Sequence, residues 1–132
     1  MSWQAKSSAA RVALVFGAVF LMIGTALGAF GAHGLRGVLT PDAMHAYETA
    51  VLYQLVHALG LFALGVWMRS TDRALLRLAA WLIVGGILLF SGSILATTFG
   101  APRLFGALAP LGGTALMAAW LLVAVAAFND PR

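Results

Sequence analysis

The chain has 132 residues, of which 62% are hydrophobic and only 9% charged, with a mean hydropathy of +0.97. A soluble domain carries about 25% charged residues, so this chain lacks the polar surface to face water and lipid must be its solvent. With no cysteine, disulfides, thiolate metal sites and cysteine nucleophiles are excluded. The net charge of +4 comes from scattered residues near span ends, not from a basic stripe, so nucleic acid is not an expected partner.

Residues Met1 to Arg11 are polar and basic, with Lys6 and Arg11. Residues 12–32 are then free of charge and long enough to span a membrane. The sequence A-L-G-A-F-G-A resembles a signal-peptide cleavage site. The apolar run is longer than the usual 7–15 residue signal core, so a retained helix is expected. Its glycines Gly17, Gly24, Gly28 and Gly31 share one face, and Gly24 and Gly28 form a G-x-x-x-G. Small residues let a second helix approach closely, which is how helices associate in lipid. Gly24, Gly28 and Gly31 are therefore expected to be packing residues.

A short loop with His33 and Arg36 leads to the second span, 46–68. Its start is explicit. Thr40 is a good N-cap, Pro41 falls at the first helical position and Asp42 sits in the first turn, where the helix dipole favours an anion. Leu39 and Met44 occupy the positions of a hydrophobic staple. From Thr49 to Met68, 20 residues, there is no charge. The next loop holds Arg69, Asp72, Arg73 and Arg77, and Ser70, Thr71 and Asp72 offer caps for the third span, 78–98. After a Gly/Pro turn the fourth span, 104–128, contains Pro110, expected to kink it, beside Gly112 and Gly113. Gly92, Pro110, Gly112 and Gly113 complete the expected packing set. The fold class is thus all-α: a four-helix transmembrane bundle forming one domain over residues 1–132.

Lys6, Arg11, Arg69, Arg73, Arg77 and Arg132 fall on one side of the membrane, and only Arg36 and Arg103 on the other. The positive-inside rule puts both termini in the cytoplasm. Trp67 and Trp81 then lie near the inner interface, whereas Trp120 sits about two turns inside its span.

The polar and small residues gather in the outer half of the spans. On the second helix these are Glu48, Thr49, Tyr53, Gln54 and His57, and on the third Ser91 and Ser93. His45, Thr49, Tyr53 and His57 recur every four residues and form one stripe. His57 lies roughly 13 Å below Glu48, near mid-membrane, where a charged form is costly. It is expected to be neutral and hydrogen-bonded inside the bundle, with Ser91 and Ser93 at matching depth. The expectation is a buried polar cluster, open or nearly open to the outer face.

Chemistry is weakly marked. Glu48 and His57 are nine residues apart, on opposite helix faces, so they make no acid/base pair within the helix. His33, His45 and Glu48 are suitable metal ligands by type, yet no H-x-x-H or H-E-x-x-H pattern supports a site. No cofactor is expected, and no nucleophile–base set points to an enzyme.

Four stretches together carry a resemblance: G-A-F-G-A-H-G-L from Gly28, Y-E-T-A-V-L-Y-Q-L-V-H-A-L from Tyr47, G-I-L-L-F-S-G-S from Gly86 and A-P-L-G-G from Ala109, with Trp120 further on. In this order they resemble the domain of unknown function 423 family of small bacterial inner-membrane proteins. Family members usually have Phe at the position of Tyr47, and often Thr-Pro where this chain has Ala109-Pro110. The resemblance implies a four-span membrane protein with no established activity. Its motif residues, among them His33, Glu48, Tyr53, His57, Ser91, Ser93 and Pro110, coincide with those singled out above. The leading expectation is a structural or accessory bundle acting through lipid-embedded packing, as a subunit of a larger complex or with itself. The alternative is a small transporter, channel or solute-binding protein using the outer polar cluster.

Overall fold

The computed structural model describes the backbone of residues 3–131 and the side chains of residues 8–131. Lys6 and Arg132, counted in the charge asymmetry, lie outside the described side chains. Four helices follow in order: α1 (Trp3–His33), α2 (Pro41–Met68), α3 (Ala74–Thr98) and α4 (Leu108–Phe128), with a 3-10 helix at Arg103–Ala107 leading into the last. Each is long and apolar enough to cross a membrane, the fourth counted from Arg103. α1 starts well before the charge-free run, because Gln4 to Ala10 contains good helix formers and no Gly or Pro.

The helices form two antiparallel hairpins, α1–α2 and α3–α4, joined along α2 and α3. α1 and α4 do not pack face to face and remain largely exposed, whereas α2 and α3 are about half enclosed. An open arrangement is stable here because lipid covers apolar faces as readily as another helix does.

Glycine sets the α1–α2 register. Gly17 faces Phe62, Gly24 faces Leu55, Gly28 faces Val51 and Gly31 faces Tyr47, so each step along α1 is matched by a step back along α2. A Cβ at Gly17 would come within 2.9 Å of the Phe62 backbone, and one at Gly31 within 2.5 Å of the Tyr47 ring. On the other hairpin, a Cβ at Gly112 would collide with the Phe90 amide. Gly113 makes only ordinary contact with the Phe90 ring, at 3.8 Å. Gly92 corrects the sequence expectation: a Cβ there meets nothing within 4 Å, so it is no packing residue.

The main core runs through α2 and α3, with Leu61, Leu76, Ile83 and Ala119 fully buried. A smaller core of Leu35, Tyr47 and Val51 closes the α1–α2 end, and the staple residues Leu39 and Met44 pack on it. Thr40 caps α2 as its sequence indicates, its hydroxyl accepting from the Ala43 amide at 3.2 Å. The loop before it turns at Gly37, whose φ of +76° favours glycine.

Two local expectations are corrected. α3 begins after Arg73 with no side-chain cap, because Asp72 is engaged with the Arg77 guanidinium and Ser70 with the Trp67 carbonyl. Pro110 does not kink α4. The 3-10 helix delays the start of α4 to Leu108, which places Pro110 in the first turn, where no amide is required.

Candidate functional site

The polar residues of α2 and α3 do not converge on one space. Helical phase divides them. Tyr47 and Gln54, seven residues apart, both point at α1. The Tyr47 hydroxyl donates to the Leu27 carbonyl. Gln54 Nε2 donates to the Phe20 carbonyl at 3.0 Å, and the residue is 4% exposed. On α3, the buried Ser91 hydroxyl donates to the Ala50 carbonyl of α2 at 2.7 Å. Three buried side chains thus tether α2 to both its neighbours. Each acceptor is a backbone carbonyl, which keeps a second lone pair for its own helix.

Ser93 is also buried but donates within its helix, to the Phe90 carbonyl at 3.0 Å. Thr49 does likewise to the His45 carbonyl at 2.9 Å. Such internal bonds satisfy a hydroxyl in lipid without linking helices.

His57 departs from expectation. It is half-buried, and neither Ser91 nor Ser93 bonds to it. Its Nδ1 lies 2.7 Å from the Tyr53 carbonyl one turn earlier. A carbonyl only accepts, so Nδ1 is the donor of this bond, which stays within the helix. The imidazole stacks on Tyr53, centroids 5.6 Å apart and planes at 20°. Tyr53 in turn meets Phe90 at 4.9 Å, and His57 lies 6.2 Å from Trp120. The stripe read on α2 is therefore half of an aromatic seam across α2, α3 and α4. This also accounts for Trp120 deep in its span. Its indole lies over Gly60, where a Cβ would approach it to 2.5 Å.

Glu48, His33 and His45 are exposed and are not gathered into a ligand set. Among the described residues no group of three or more His, Asp or Glu could hold a metal ion. Glu48 and Tyr47 instead line a cleft of about 270 Å³ between α1 and α2, together with Arg36. A larger hollow of about 360 Å³ lies at the opposite end, lined by Ser8, Arg77 and Trp81 among others.

Sequence reasoning missed the contacts at that opposite end. Arg73 donates to the Ala126 carbonyl in the last turn of α4 and lies 3.9 Å from Asp130. A guanidinium is favourable at a helix C-terminus, where carbonyls lack partners. The side chain of Asp72 is 6% exposed, and its Oδ2 has no hydrogen-bond partner. Arg73 read in sequence only as one more charge, because its partner lies more than fifty residues away.

Comparison with known proteins follows from this architecture. The family described as "protein of unknown function (DUF423)" matches residues 27–113, which include the α1–α2 loop, all of α2 and α3, and the start of α4. A UPF0382 membrane protein of Staphylococcus haemolyticus is 37% identical over 119 residues, 90% of this chain and 97% of its own length. The UPF0382 membrane protein YwdK of Bacillus subtilis is 36% identical over 118 residues, 89% of this chain and 96% of its own. No solved structure matches. Four apolar helices and bacterial membrane-protein relatives make this a multi-pass protein of the cell's inner membrane. The chain belongs to the DUF423 family of proteins of unknown function.

Proposed function

We propose that the protein acts by packing rather than by chemistry, as a structural helix bundle that assembles with other membrane chains or with copies of itself. One observation carries this reading. The buried polar side chains Tyr47, Gln54 and Ser91 donate to the backbones of neighbouring helices, so they tether the fold and do not converge on one another. The packed pair α2–α3 then presents α1 and α4 with broad apolar faces toward the membrane, including Met22 at 65% exposure and Met117 at 69%. The proposed topology has both termini in the cytoplasm, a reading supported by the positive-inside rule applied to Arg11, Arg69, Arg73 and Arg77. The transport alternative has less support, because Glu48 and Tyr53 are exposed and the Nδ1 bond of His57 stays within its own helix.

Photo-crosslinking amino acids at Met22, Met117 and Leu121, exposed on α1 and α4, test the proposal in native membranes. The expected result is a discrete adduct from at least one of these faces, either a dimer or one defined heavier species. Capture of lipid alone at all three positions would overturn it.

A further inference from the structure

The α1–α2 cleft is not used by the packing account. Its wall is apolar, built by Gly28, Val51, Leu52 and Leu55, while Arg36 and Glu48 stand at its edge. Both charged residues are exposed. Among the described residues the ion pairs are Arg73–Asp130 and Arg77–Asp72, so Arg36 and Glu48 share the cleft without being paired to each other. Glu48 is the eighth residue of α2 and is followed by the charge-free run. It lies about 10 Å along the helix, at the level of lipid headgroups. Glu48 is exposed at this level, where a lipid ammonium is a cation that its carboxylate can meet.

We propose that this cleft binds one phosphatidylethanolamine molecule. Arg36 takes the phosphate, for which a guanidinium offers paired N–H donors. Glu48 takes the ammonium, which donates hydrogen bonds to a carboxylate. One acyl chain lies along Val51, Leu52 and Leu55. The charge order selects among lipids. Phosphatidylcholine carries no N–H donor for Glu48, and phosphatidylglycerol places an anionic lipid without a compensating cation beside it. The inference is independent of assembly with other chains, since it concerns one protomer's own cleft.

The test is native mass analysis of the full chain with equimolar phosphatidylethanolamine, phosphatidylcholine and phosphatidylglycerol of the same acyl composition. Phosphatidylethanolamine is expected to be retained about fivefold over each of the others, the worth of one charge-assisted contact. Glu48→Gln is expected to abolish that preference, and Arg36→Gln to lower retention of phosphatidylethanolamine by a similar factor. Equal retention of the three lipids by the unaltered protein would overturn the proposal, whatever the variants do. So would a preference that persists in both variants, which would put the selective contacts elsewhere on the protein.

Discussion

Gln54 and His57 are three residues apart on one helix, equally polar, and the structure gives them different tasks. Gln54 reaches across to the Phe20 carbonyl, whereas His57 bonds back to Tyr53. Interhelical polar bonds in membranes are worth about 0.6 kcal/mol on average and up to about 1.7. Gln54→Leu keeps the volume and removes the donor, so it should lower stability by about 1 kcal/mol in equilibrium unfolding from mixed detergent. His57→Ala removes no interhelical hydrogen bond, and its cost should stay near the value of its aromatic contacts, about 0.5–1 kcal/mol. A His57 loss well above that of Gln54 would show that the seam, not the tethers, holds the bundle. The sequence displayed both side chains on one apolar helix. It did not display which helix stands opposite each, because a residue's phase is legible but its neighbour is not. Asp72 shows the same limit, since its pull toward Arg77 overrode the cap that its position promised.

The ends and faces of the helices were more legible than their partners. T-P-D at residues 40–42 gave the start of α2 directly, and Thr40→Ala should cost about 1 kcal/mol of stability through the lost cap. The α1 glycines announced a close-packed face, and α2 fills it. Gly92 and Gly112 looked alike in sequence yet differ in place, one against open space and one against the Phe90 backbone. Gly112→Ala should therefore force α3 and α4 apart and cost about 1–3 kcal/mol. Gly92→Ala should be neutral or stabilise by up to about 1 kcal/mol, as a glycine inside a helix does when replaced without a clash. Thermal unfolding of the two variants side by side checks both. Pro110 was misread because a 3-10 helix of 5 residues is too short to show its three-residue period, so the start of α4 at Leu108 stayed hidden.

At the scale of the molecule, span count and membrane residence were readable from hydropathy alone. Helix order in space was not, because lipid-facing and protein-facing surfaces are both apolar and carry the same residues. The side that holds Arg11, Arg69 and Arg73 is joined by real contacts, since Arg73 caps α4 and Arg11 and Arg69 line one hollow. The absence of cysteine in the chain makes its orientation simple to test. An impermeant thiol reagent applied from outside should label Val38→Cys and spare Ser70→Cys, and the opposite pattern would invert the proposed topology. The central claim concerns assembly, and native mass analysis of the tagged protein, extracted from its own membrane in mild detergent, addresses it most directly. The account predicts a stoichiometric particle heavier than the 13.8 kDa chain, as a homo-oligomer or as one subunit among others. A particle holding a single copy of this chain and only lipid would contradict it.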